Sequence, residues 1–273
     1  MDNDEILIKM HKLHLLLADE LKRICEKNDI SYFMVGGTML GAVRHKGFIP
    51  WDDDMDFGMT RDDFERFLVV AEKELDNKIF YLQTDRKEFN YPFTFAKLRL
   101  QGTKIIESFS EEVNVHNGIY IDIFPVDNVE DNKIKAFFQY KFFWFYRNLL
   151  WVKCGYGSKE RKKTIGYQTA KLLSSFFSIE HLKHQKHKMI TCCKNNESKS
   201  VVMSDSPYGL KIDTLLRKWI RSLTLYHFEG RVYPGIAAYD EYLKHYYKDY
   251  MQLPPLEKRN HHGRLDVDFG QYF

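Results

Sequence analysis

Apolar positions recur at helical spacing from the start of the chain. Ile6, Met10, Leu13, Leu17, Leu21 and Ile24 fall on one stripe and predict an amphipathic helix over 3–28. "SYFMVGG", from Ser31, predicts a short buried strand that ends in two glycines. "TMLGAVRHK" predicts a short helix with Thr38 at or near its N-cap, stopped by Ile49 and Pro50. "DMDFGM" reads as a second strand. Thr60 then opens a helix over "RDDFERFLVVAEKEL", with Thr60 and Asp63 as a variant of the capping box. "KIFYLQT", "FTFAKLRLQGT" and "KIIESF" have strand composition, and Gly102 predicts a hairpin between the last two. "GIYIDIFPVD", residues 118–127, is a further strong strand. After Asp131 the pattern is mainly helical, apart from loops near Gly155–Gly157 and Ser204–Gly209 and a non-helical "LPPLEKR" tail. The fold class expected is α+β: a mixed β-sheet core with flanking helices over 1–130, and a mainly helical region over 131–273 that completes the substrate site.

Composition narrows the function classes. The 273 residues are 44% apolar and 15% aromatic, enough for a sizeable core and unlike a disordered chain. A formal charge of +3 lacks the basic excess of a nucleic-acid binder, so no nucleic-acid partner is expected. Cys25, Cys154, Cys192 and Cys193 show no CxxC spacing and read as reduced thiols of a cytoplasmic protein. The N-terminus lacks an apolar signal-peptide core. "AFFQYKFFWFYRNLLWV", residues 136–152, is interrupted by Lys141, Arg147 and Asn148 and is shorter than the ~20 residues a bilayer crossing needs. It reads as a buried helix, with a helix in the membrane interface as the alternative.

Candidate chemistry concentrates in "GFIPWDDDMDFGM", residues 47–59, where Asp52, Asp53, Asp54 and Asp56 are threaded through apolar positions. Asp52, Asp54 and Asp56 share one face if the extended conformation reaches back to Asp52. Two carboxylates ~4 Å apart repel by roughly 4 kcal/mol at an effective dielectric near 20, so a raised pKa or a divalent cation must offset them. Mg²⁺ takes one or two carboxylates together with substrate phosphates, and the DxD spacing of Asp54 and Asp56 suits it. The bland alternative is a solvated turn. Upstream, Gly36 and Gly37 stand at a strand end before a helix N-terminus, where backbone N–H groups bind anions. The GK[ST] ending of a Walker loop is missing. Asp122 is a lone carboxylate in an apolar strand, explained either by the same metal or by a buried Lys or Arg.

"GGTMLGAVRHKGFIPWDDDMDFGM", then "KLR", then "GIYIDIFPVD", resembles the LicD family, which includes bacterial phosphocholine transferases and is related to the fukutin proteins. The arrangement is also similar to the wider nucleotidyltransferase superfamily, so the resemblance implies a nucleotidyltransferase-like core. "YDEYLKHYYKDYMQLPPLEKRNHHG" looks like the family's C-terminal segment. The family pattern there is closer to Tyr-Gly-Asp-Tyr, and this chain has Tyr247, Lys248, Asp249 and Tyr250.

The resemblance implies transfer of phosphocholine from CDP-choline to a sugar hydroxyl of a teichoic-acid or lipooligosaccharide precursor, with release of CMP. Other CDP-alcohols (ribitol, glycerol, ethanolamine) and nucleotidyl transfer to a small molecule are the alternatives. It implies Mg²⁺, or Mn²⁺, held by Asp52, Asp54, Asp56 and Asp122. Asp54, Asp56 and Asp122 are the expected catalytic residues, with Asp122 also able to accept the hydroxyl proton. Gly36, Gly37, Thr38 and Arg44 are expected at the phosphates. Lys97, Arg99, Arg259 and His261 rank behind them. His45 and His116 are more ordinary structural histidines. His181, His184 and His187, interleaved with Lys183, Lys186 and Lys188, read as a solvated face. Tyr91, Phe93, Tyr233 and Tyr239 are available to a quaternary ammonium. The acceptor can be lipid-linked, which adds the inner face of the membrane as a partner surface.

Overall fold

The computed structural model describes residues 2–206, 209–259 and 263–273. Its elements run α1 (Asn3–Lys27), β1 (Phe33–Met34), α2 (Gly36–Arg44), β2 (Asp56–Thr60), α3 (Arg61–Glu74), β3 (Phe80–Gln83), β4 (Ala96–Leu100), β5 (Lys104–Glu107) and β6 (Tyr120–Val129). There follow α4 (Lys133–Lys153), α5 (Lys159–Lys162), α6 (Ile165–Ser174), α7 (Ile179–Ile190), β7 (Ser200–Met203), α8 (Leu210–Asp213), β8 (Thr214–Leu216) and α9 (Arg217–Ile220). The chain closes with β9 (Leu223–Phe228), β10 (Arg231–Ile236), α10 (Tyr239–Tyr247) and β11 (Arg264–Asp268). The fold is mixed α/β.

β6 organises the main sheet. Its first half lies parallel to β2 and antiparallel to β4, and its last four residues pair with β7. The path across the sheet is β3-β4-β6-β2-β1-β10-β9, with β8 joined through β7. Helix dominates from α4 to α7, as the sequence pattern expects, but from residue 191 on strands outweigh α-helices among the described residues, so the expected run of helix to the C-terminus is corrected. Yet β7 to β10, all from that region, enter the same sheet, and β10 lies parallel beside β1. Segments 1–130 and 131–273 therefore share one sheet.

The amphipathic stripe of α1 is used as its spacing demands. Met10, Leu17, Leu21 and Ile24 are wholly buried where α1 packs on α3, β4 and β6. Each such side chain contributes on the order of 1.5–3 kcal/mol. Asp2 caps α1, and the Thr60 hydroxyl caps α3 by accepting the Asp63 N–H. A second core joins Tyr91, Phe93 and Phe95 to Leu149, Leu150, Tyr156 and Leu182 of the helical region, and Phe124 of β6 touches both cores.

Three further expectations are corrected. The hairpin around Gly102 does not form, because both edges of β4 are taken, by β3 and β6, and β5 pairs with β11 instead. Gly102 still makes the turn, at φ +73°. The 136–152 helix is buried on one face only: Gln139, Phe143, Leu149, Leu150 and Val152 pack inward, while Phe138, Phe142 and Phe145 stay exposed. Finally, the lysines of α7 are not all on a solvated face. Lys186 is fully buried, donates to the Pro92 carbonyl and lies 3.9 Å from the buried Asp205 carboxylate. Lys183 donates to the Asp85 and Glu88 carbonyls at 2.6 and 2.8 Å.

Lys248 occupies the position where the family pattern carries glycine, and its backbone stands at φ +57°, ψ −109°. A side chain is strained there. Lys248→Gly is expected to raise stability by about 1 kcal/mol in urea denaturation, the strain relieved exceeding the added unfolded-state entropy. A loss of stability would show that the lysine side chain compensates for the turn.

Candidate active site

The acidic segment is not an extended strand throughout. The Asp52 N–H closes a turn onto the Ile49 carbonyl, and β2 begins only at Asp56. Turn and strand nevertheless bring Asp52, Asp54 and Asp56 to one cleft, together with Gly36, Gly37, Arg44 and Trp51. Asp53 takes the opposite direction. Its carboxylate is buried and lies 3.7 Å from Arg264.

The two glycines permit a close approach. A Cβ on Gly37 would stand 2.6 Å from Oδ2 of Asp52, and one on Gly36 would stand 3.3 Å from Oδ2 of Asp56. The carboxylates thus press against the start of α2. Gly36 itself is at φ +54° and donates its N–H to the Tyr242 hydroxyl at 2.8 Å. Thr38 is not the N-cap, which is Val35. It is buried one turn further in, and its hydroxyl accepts the Asp56 N–H at 2.7 Å. That bond fixes the first residue of β2, and Thr38 is not among the residues that line the cleft.

Strand register makes the next layer. Asp56 of β2, Asp122 of β6 and Lys97 of β4 are direct neighbours across three strands, so their side chains rise from one face of the sheet. Lys97 Nζ donates to Asp122 Oδ1 at 2.7 Å and sits 3.3 Å from the centre of the Tyr120 ring. Of the two readings open for Asp122, the buried basic partner is the one found. Burial raises the Asp122 carboxyl to about 6, Lys97 opposes this, and Asp54 and Glu107 reinforce it. Burial likewise lowers the Lys97 ammonium. Lys97 thus pairs with Asp122 while lining a cavity together with Asp54 and Asp56.

Arg99 is also diverted. It donates to Gln83 Oε1 at 2.6 Å and to the Gly118 carbonyl at 2.5 Å, and lines a separate small cavity. Arg44 does line the aspartate cleft, with Nη1 donating to the Tyr250 carbonyl at 2.7 Å. Arg259 stacks over Trp51 at 4.5 Å, beside the same cleft. His261 lies outside the described residues. His116 stacks on Tyr81, its Nδ1 accepts the Gly118 N–H, and burial lowers it to about 4. His45 packs edge-on against Trp51.

Among the described residues, no group of three or more His, Cys, Asp and Glu side chains is arranged to hold a metal ion. Asp54 and Asp56 offer the hard oxygen donors that Mg²⁺ takes alongside substrate phosphates. Asp122, which is bonded to Lys97 through Oδ1, is not grouped with Asp52, Asp54 and Asp56 into a metal-holding arrangement among the described residues.

Asp54, Asp56, Lys97 and Asp122 also line a second cavity of about 290 Å³. Its wall is aromatic: Phe93, Phe95, Phe109, Phe124, Trp151 and Tyr246. Of the aromatics singled out from sequence, Phe93 belongs to this wall. Tyr91 and Tyr233 are core residues, and Tyr239 packs edge-on near Tyr226. Two acids of this cavity escaped the sequence reading. Asp205 is fully buried and bonded to Arg147 and to the Thr94 amide and hydroxyl. Glu107 is buried, accepts the Tyr120 hydroxyl at 2.7 Å, and has no basic group within 4 Å among the described residues. The available signal was an acid at the end of "KIIE", but its destination depends on β5 leaving β4.

Residues 29–153 match the family described as LicD/FKTN/FKRP, nucleotidyltransferase domain. The chain carries a LicD-family domain. Over 255 residues it is 29% identical to the lipopolysaccharide cholinephosphotransferase LicD of Haemophilus influenzae, covering 91% of this chain and 92% of that protein. A 40-residue stretch is 42% identical to ribitol 5-phosphate transferase FKRP of Homo sapiens, covering 15% of this chain and 8% of that protein. The LicD-family match contains α2, the acidic turn, β2, β4 and β6, and so spans Asp52, Asp54, Asp56, Lys97, Glu107 and Asp122.

Proposed function

We propose that this protein transfers phosphocholine from CDP-choline to a sugar hydroxyl of a cell-surface glycan precursor, releasing CMP. The similarity to the lipopolysaccharide cholinephosphotransferase of Haemophilus influenzae supports phosphocholine as the group transferred and a lipopolysaccharide-type acceptor. The observation that favours choline over a polyol is Glu107. Glu107 is buried in an aromatic cavity beside the acidic cleft and has no basic group within 4 Å among the described residues, although Lys97 lines the same cavity; such a carboxylate is suited to a fixed cation. A quaternary ammonium has no hydrogen to donate and is held by carboxylate charge and ring faces.

In this reading Asp54 and Asp56 would hold a divalent cation, Mg²⁺ or Mn²⁺, with Asp52 lining the same cleft. Bound there, the ion would neutralise charge on the donor diphosphate. The helix start at Gly37 and the Arg44 guanidinium contribute further positive potential, the Gly36 N–H being given to Tyr242. Asp122 accepts the proton of the attacking hydroxyl. That oxygen bonds to the phosphorus bearing choline, the bond from this phosphorus to the CMP oxygen breaks, and CMP leaves in line.

The test is a thermal-shift and product panel. With Mg²⁺ present, CDP-choline is expected to stabilise the protein more than CDP-ribitol, CDP-glycerol or CDP-ethanolamine, and an added glycan acceptor to elicit CMP. Glu107→Gln is expected to weaken CDP-choline about tenfold while leaving CMP affinity unchanged. Preference for CDP-ribitol would refute the choline assignment. Pyrophosphate released from a nucleoside triphosphate would point to nucleotidyl transfer instead. Stabilisation by CDP-choline without turnover on any acceptor would favour a non-catalytic nucleotide-binding protein.

A further inference from the structure

The outward face of α4 is as apolar as its inward face. Ile134, Phe138, Phe142 and Phe145 form a stripe at helical spacing and are 44–69% exposed. Phe137 and Trp144 flank it, each 50% exposed. On α6, Ile165, Leu172 and Phe176, just beyond that helix, form a second exposed stripe. A cavity of about 540 Å³ lies between the two helices, lined by Trp144, Phe145, Tyr167 and Leu173 among others. Exposed aromatic area of this extent on adjoining helices is unusual for a surface that meets only water.

Charge identifies the occupant. Residues 133–178 contain eight lysines and two arginines against one acid, Glu160, although the whole chain carries only +3. Lys133, Lys135, Lys141, Lys163 and Lys171 are exposed and pair with no carboxylate among the described residues. Large aromatics interleaved with lysines are the composition of helices that lie in a lipid interface, where rings enter the headgroup boundary and ammonium groups meet anionic headgroups. No helix of the described residues is long and apolar enough to cross a membrane. Trp151 lines both the cavity between α4 and α6 and the aromatic cavity beside the acidic cleft, so the patch is continuous with the candidate active site.

We propose that the α4–α6 face is a docking surface for an anionic lipid bilayer, on which the protein lies without inserting a span. The experiment is co-sedimentation of the full chain with phosphatidylcholine vesicles and with mixed phosphatidylcholine–phosphatidylglycerol vesicles, at low and high salt. Binding to the mixed vesicles is expected to be about tenfold tighter than to phosphatidylcholine alone, and to weaken with salt. Lys133→Gln/Lys135→Gln/Lys141→Gln is expected to remove that preference. Phe138→Ser/Phe142→Ser/Phe176→Ser is expected to abolish binding to both. All six positions are exposed, so melting temperature and CMP release with a water-soluble acceptor should stay unchanged. Absence of vesicle binding, or equal binding by wild type and both variants, would overturn the proposal. So would a dimer in light scattering that the phenylalanine variant dissociates while wild type ignores vesicles. Vesicle binding does not depend on turnover, so this result and that of the donor panel are separable.

Discussion

Asp54→Asn and Asp56→Asn are each expected to lower CMP release by about 10³-fold or more, with the protein still melting cooperatively near the wild-type temperature. Both carboxylates line the cleft under the start of α2, and both are partly exposed. Replacing them with an amide keeps shape and removes charge where a diphosphate must be neutralised. Chelation by EDTA should reproduce the loss in wild type, with recovery on added Mg²⁺ or Mn²⁺. A variant that turns over at the wild-type rate with saturating Mg²⁺, or an enzyme indifferent to EDTA, would remove the metal from the mechanism. Asp53→Asn is the internal contrast. Its carboxylate points to Arg264, so its loss should lower stability before it lowers the chemical rate.

The second large effect is on folding. Lys97→Met should destabilise the protein by about 3 kcal/mol, because it leaves the Asp122 carboxylate, only 13% exposed, without its cation. Adding Asp122→Leu should recover much of that loss, since an apolar pair replaces a buried ion pair at little net cost. Urea denaturation of the two single variants and the double variant measures the coupling. If Lys97→Met costs less than about 1 kcal/mol, the pair is solvated and its place in the core argument fails. The double variant is expected to be inactive whatever its stability, because Asp122 is lost as proton acceptor.

Local pattern carried a great deal. The stripe from Ile6 to Ile24 specified α1, Thr60 and Asp63 specified the start of α3, and alternation in "GIYIDIFPVD" specified the strand that centres the sheet. The cluster Gly36, Gly37, Asp52, Asp54 and Asp56 was legible because its members lie within 21 positions of one another, so the chain itself keeps them near. The acidic run reached the cleft by a turn at Asp52 and not by strand alternation, but the short linkage made the result the same.

What the sequence could not determine were pairings between distant segments. Asp122 was readable as an acid that needed a partner, and only the register of β4 on β6 made that partner Lys97. Lys186 looked like one of a solvated run until Asp205, 19 residues further on, entered the same buried site. Glu107 became a cavity residue because β5 gave up β4 for β11, a competition between strand edges that no local window contains. A residue's own preference for burial or charge is set by its chemistry and can be read in place. Which charge it meets is set by how the sheet closes, and that is a property of the whole fold.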